Sequence, residues 1–122
     1  GWRKKVEMGN MNAKRDWGHA RDYVEAMWLM LQNKKPEDFV IGTGKQYSVR
    51  DFAKLAFDYV NLDYRKYVIV KEKLKRPSEV DTLLANPLKA KRLLGWKPKV
   101  TFKKLVHDMV QSDLDFVEKE GY

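Results

Sequence analysis

The stretch from Gly9 to Leu31, GNMNAKRDWGHARDYVEAMWLML, constrains the rest of the chain most, because it passes from a charge-dense loop into an amphipathic helix within a few residues. Ala20, Val24, Met27, Trp28 and Leu31 recur at spacings of three and four, so a helix from about Gly18 to Asn33 is expected, with these residues on its buried face. Ahead of it, Lys14, Arg15 and Asp16 form a basic loop. The unpaired N–H groups of a helix start and a neighbouring guanidinium both favour an anion. A solvated loop feeding a core helix is the plainer alternative.

A chain of 122 residues has the length of one domain, and with 43% hydrophobic residues, including four Trp, it is composed to fold. Without cysteine it has neither a disulfide framework nor a thiolate metal site. No apolar run approaches the roughly 18 residues of a membrane span, and no signal-peptide pattern opens the chain, so no membrane association and a cytoplasmic location are expected. The net charge of +8 raises the question of nucleic acid. Most of the excess is scattered lysine of the kind that solvates helix faces, and the chain carries no RNP signature, zinc-finger spacing or dense arginine run, so no nucleic-acid partner is expected.

Along the chain, Val6 and Met8 alternate with charged neighbours as in a short strand, and Phe39-Val40-Ile41 reads as a short buried strand running into Gly42-Thr43-Gly44. Ser48 with Asp51 forms a capping box for a helix whose apolar face is Val49, Phe52, Ala53, Ala56, Tyr59 and Val60. Tyr67 to Val70 is β-branched and aromatic, a strand. Asn86, with Pro87 at the first helical position, begins a short helix ending at Gly95, and Thr101 caps a last helix carrying Phe102, Leu105, Val106, Met109, Val110, Leu114 and Val117. With no internal repeat, linker or low-complexity segment, residues 1–122 read as a single unit.

Catalytic motifs do not survive inspection. Gly42-Thr43-Gly44-Lys45 lacks the spacing of a P-loop or a dinucleotide fingerprint, so its glycines serve as a turn. Tyr67 and Lys71 match Tyr-x-x-x-Lys but on a strand, about 13 Å apart at roughly 3.3 Å per residue. His19 and His107 have no second ligand at metal spacing, and His19 is expected to hydrogen-bond locally. Asp22 and Glu25 read as an ordinary solvated pair. What remains are two arginines in unusual contexts, Arg15 before Asp-Trp-Gly and Arg76 before Pro-Ser-Glu. A guanidinium is a planar fork of donors that grips phosphate oxygens and stays charged.

RDWGHARDYVEAMW closely resembles a segment of the GDP-mannose 4,6-dehydratases, a family of extended short-chain dehydrogenase/reductases. PEDFVIGTGKQYSVRDF from Pro36, RPSEVDTLLANPLKAKRLLGWKPKVTF from Arg76 and LVHDMV from Leu105 resemble the same family in the same order. The resemblance is to the C-terminal, substrate-binding part. It implies an α/β fold, the C-terminal portion of an NAD(P)-binding Rossmann-like enzyme with helices packed on short strands, and no N-terminal Rossmann domain in residues 1–122. Leu84-Ala85-Asn86-Pro87 departs from the family's usual Leu-Gly-Asp-Pro, and Gly42 stands where alanine is common.

By the same resemblance, Arg15 and Arg76 contact the nucleotide diphosphate and Glu79 accepts from the ribose hydroxyls. The implied activity is a lyase reaction, dehydration of GDP-mannose to GDP-4-keto-6-deoxymannose, in which NADP held by the N-terminal part passes hydride from C4 to C6 of the sugar. A homo-oligomer is implied for the parent enzyme, and no turnover for this portion alone. A related nucleotide-sugar epimerase or reductase and a non-catalytic binding module are the alternatives.

Overall fold

Local sequence sets most of the helix ends in the computed structural model, which describes residues 4–76 and 82–121. The elements run β1 (Val6–Met8), β2 (Lys14–Arg15), α1 (Ala20–Gln32), β3 (Tyr47–Ser48), α2 (Val49–Tyr59), β4 (Val68–Val70), α3 (Leu88–Leu94) and α4 (Phe102–Lys119). His19 is the N-cap of α1, its Nδ1 accepting from the Arg21 amide at 3.0 Å. Ser48 and Asp51 close the expected capping box on α2, and Thr101 accepts from the Lys104 amide to start α4. Gly95 ends α3 with φ 68°, the left-handed conformation that glycine reaches without a Cβ penalty. Pro87 lies one position earlier than expected, at the N-cap of α3, while Asn86 Oδ1 accepts from the Leu88 amide.

The strands are short and pair in two separate places. β1 runs parallel to β4, with Val6 opposite Val68 and Met8 opposite Val70. β2 runs antiparallel to β3, Lys14 opposite Ser48 and Arg15 opposite Tyr47. The result is mixed α/β, helices packed on short strands. α2 lies on α4 through Phe52 and Phe102, and Tyr47 stacks on Phe102 with ring centroids 4.1 Å apart.

The core differs from the expected one at α1. Val24, Met27, Trp28 and Leu31 are 63, 62, 60 and 82% exposed. The helix instead buries Asp22 and Ala26, and Ala26 packs with Ala90 and Trp96. The stripe is apolar and at helical spacing as read, but no described element covers it. Asp22, read as solvated, is 3% exposed because its carboxylate accepts from the backbone amides of Lys99 (3.1 Å) and Val100 (3.0 Å). Its carbonyl takes the indole N–H of Trp96 at 2.8 Å, and Glu25 pairs with Lys99.

Phe39-Val40-Ile41 is not a strand. It has no ladder partner among the described residues, Phe39 and Ile41 resting on the Trp96 cluster while Val40 is exposed. In α4 only Phe102, Leu105 and Val106 are buried, whereas Met109, Leu114 and Val117 are exposed, because α2 ends before it can cover the outer turns.

Candidate functional site

Arg15 sits where three chain segments meet. Its strand, β2, takes β3 on one side, and on the other Lys14 bridges Thr82 in parallel, with the Leu83 amide donating to the Lys14 carbonyl at 3.0 Å. Trp17 fixes the far end of this loop, its indole N–H donating to the Tyr47 carbonyl at 2.9 Å and its ring lying 4.9 Å from Phe52. Between the segments is an open cavity of about 300 Å³ lined by Arg15, Asp16, Leu83, Leu84 and Ala85. It therefore offers a guanidinium beside a half-exposed leucine wall, at the small end of the roughly 300–1,000 Å³ typical of ligand sites.

Asp16 joins the walls of that cavity. Its Oδ1 accepts from the Thr43 amide (2.8 Å) and hydroxyl (2.6 Å), and its Oδ2 from the amides of Gly44 (3.0 Å) and Ala85 (3.2 Å). Nothing in the local sequence marked this residue, because its donors lie 27 to 69 positions away. The charge on Asp16 reaches Tyr23, whose phenol is pushed up first by burial, then by Asp16 and Asp22.

Gly42 and Ala85, both read from the sequence as departures from the family pattern, meet here. A Cβ built on Gly42 would stand 2.3 Å from the Ala85 methyl and 3.0 Å from Asp16 Oδ2. The slot between the loops holds one methyl group, and in this chain residue 85 supplies it. Glycine at 42 and alanine at 85 are thus a compensated pair.

Of the sequence-derived ligands, Arg15 lines the cavity and Arg76 does not, being exposed at the point where the described chain breaks off before Thr82. Glu79 lies outside the described residues. A larger hollow of about 630 Å³ lined by Lys54, Asp58, Asp63 and Arg65 has its charges already matched, Lys54 with Asp58 at 2.8 Å and Arg65 with Asp63 at 3.0 Å. The hydrogen bond from Arg65 holds Asp63 below the usual carboxylate range, the behaviour of a settled ion pair.

Among the described residues no group of His, Cys, Asp and Glu could hold a metal ion, and no helix is long and apolar enough to cross a membrane. The Thr43-Gly44 turn does not offer its amides to a phosphate, because it already donates them to Asp16.

The family model described as GDP-mannose 4,6 dehydratase matches residues 1–109. Among similar proteins, the GDP-mannose 4,6 dehydratase of Dictyostelium discoideum is 49% identical over 91% of this chain and 36% of its own length. The Arabidopsis thaliana dehydratase 1 is 48% identical over 98% of this chain and 33% of its own, and the Homo sapiens enzyme 46% identical over 90% and 34%. The chain thus spans about a third of the length of these curated relatives. In structure it is similar to a Thermotoga maritima UDP-glucose 4-epimerase with UDP-glucose (TM-score 0.82, 27% identity, 93% of this chain and 36% of that one). It is also similar to a Bacillus anthracis dTDP-glucose 4,6-dehydratase in complex with NAD (TM-score 0.83, 20% identity, 94% and 36%). The fold shared with these neighbours is the one the resemblance implied, the C-terminal portion of an extended short-chain dehydrogenase/reductase.

Proposed function

Because this chain belongs to the GDP-mannose 4,6-dehydratase family, we propose that it is the substrate-binding part of an enzyme converting GDP-mannose to GDP-4-keto-6-deoxymannose, and that its own task is to grip GDP. The observation that carries the reading is the seat of Arg15, a guanidinium on β2 at a cavity walled by Leu83, Leu84 and Ala85. Arg15 and Arg76 bind the diphosphate from two sides, and Glu79 accepts from the ribose hydroxyls. Cations for phosphates and a carboxylate for hydroxyls are the donor and acceptor pattern that such a ligand needs.

The proton and hydride chemistry belongs to the other two thirds of the protein. When bound there, NADP supplies hydride exchange at the sugar. Residues of this chain hold the nucleotide so that the sugar reaches that centre, which is catalysis by positioning. The outer stripe of α1, Val24, Met27, Trp28 and Leu31, is the surface against which that remainder packs. Four adjacent large apolar side chains left in water are a patch that a partner covers. The protein so assembled works in the cytoplasm as a homo-oligomer.

GDP titration of the full-length protein tests the reading. Arg15→Ala and Arg76→Ala each remove charge-assisted hydrogen bonds of about 1.5–3 kcal/mol, weakening GDP by about tenfold to a hundredfold. The lysine variants recover part of this, since an ammonium restores charge but not the fork. Lys103→Ala, on the exposed side of α4, is the control. Equal losses from Lys103→Ala would reduce the effect to general electrostatics.

A further inference from the structure

We propose that Asp16 is a positioning residue of the nucleotide site, its carboxylate setting Arg15 against the leucine wall. The proposal rests on the reading of Arg15 as a ligand of the diphosphate. Arg15 is carried by a strand two residues long and its Nη1 donates to the Lys14 carbonyl at 2.8 Å, so its position follows that of the strand and loop that carry it. On the side of the cavity wall, that strand is tied to residues 82–85 by the Lys14–Thr82 bridge and the Leu83 amide, both through Lys14. The Ala85 amide on Asp16 Oδ2 is a tie at the other end of the wall, and it places Arg15 between two fixed points. The same carboxylate holds the Thr43-Gly44 turn through three further bonds. One side chain therefore locks the arginine loop, the turn and the leucine wall together, at the cavity that Arg15 also lines.

The chemistry of the knot requires an ionised carboxylate. Each oxygen takes two donors, so both must be acceptors. An asparagine amide would aim its NH₂ at N–H groups in either orientation and release one wall or the other. A glutamate keeps the charge but carries it one methylene too far.

The test is calorimetric titration of GDP into the full-length protein and its Asp16→Asn, Asp16→Glu, Arg15→Ala and Asp16→Asn/Arg15→Ala variants. Asp16→Asn is expected to weaken GDP about tenfold, Asp16→Glu to fail as a rescue, and the double variant to bind within about threefold of Arg15→Ala alone, because Asp16 acts through Arg15. Losses that multiply in the double variant, or an Asp16→Asn protein that binds normally, would overturn the proposal. Thr43→Val removes one donor to Oδ1 and leaves every amide in place. It provides the same cycle if Asp16→Asn does not fold, with a loss of about threefold that must disappear in the Arg15→Ala background. Absence of binding by the unsubstituted protein removes the site reading itself, and the proposal with it.

Discussion

Gly42→Ala should be costly, and Ala85→Gly should repair it. The backbone at Gly42 is not in the left-handed region, so alanine is excluded there by space alone. Its methyl would lie 2.3 Å from that of Ala85, against about 3.5–4.0 Å for carbons in contact. The loops must part by more than about 1 Å, which stretches the Ala85 amide, now 3.2 Å from Asp16, out of hydrogen-bond range. Overpacking contributes about 1–3 kcal/mol, and the charge-assisted bond about 1.5–3 kcal/mol. Because the loops can relax by breaking only one of these contacts, a net loss of about 2–3 kcal/mol is expected, roughly 10 °C in Tm for a domain of this size. Ala85→Gly alone should cost about 0.5–1 kcal/mol through backbone entropy. Combined, the methyl merely changes sides, and the double variant should return to within about 1 kcal/mol of the original. Thermal unfolding followed by circular dichroism measures all three. Losses that simply add would mean that residues 42 and 85 do not share a slot, and the compensated-pair argument fails.

Removing the buried carboxylate in Asp22→Ala leaves the amides of Lys99 and Val100 without their acceptor and should cost about 2–4 kcal/mol in urea unfolding; a change under about 0.5 kcal/mol would contradict the burial described. Asp108 is held below its ordinary value first by the hydrogen bond from Lys104, with His19 and Arg21 adding attraction. Its contribution is thus present above about pH 4 and lost as pH falls through the lower folded value, so Asp108→Asn should flatten part of the acid limb of a stability–pH curve, an effect that 1 M salt should weaken. Met27→Glu with Leu31→Glu should leave the isolated 122-residue chain within about 0.5 kcal/mol of its stability but destabilise the full-length protein, measured by differential scanning calorimetry; equal effects in both would mean that nothing covers that stripe.

The features legible in the sequence are those decided within a few residues. The Ser48–Asp51 box, the Thr101 cap and the left-handed Gly95 each depend on neighbours three or four positions away, and each is found as read. The periodicity of α1 was equally legible, but periodicity reports that a face is apolar, not what meets it, and no described element meets this one. Asp22 illustrates the same limit from the other side. A carboxylate in a helix reads as solvated unless its acceptors' partners are known, and these are 77 and 78 residues downstream. Phe39-Val40-Ile41 had strand composition but no ladder to join. At the candidate site, the local motif pointed to Arg15, while Asp16 required the fold. A carboxylate between Arg15 and Trp17, outside any helix, is the slight signal that could have drawn notice to it.

The parallel pairing of β1 with β4 has a bearing on how the molecule assembles. It closes a loop of about sixty residues with only three residue pairs. A flexible loop of that length costs about 3–4 kcal/mol in closure entropy, more than so short a ladder returns. Helices α1 and α2 must shorten the intervening chain before Val6 can reach Val68. So short a ladder across so long a loop is expected to open before the helices it spans.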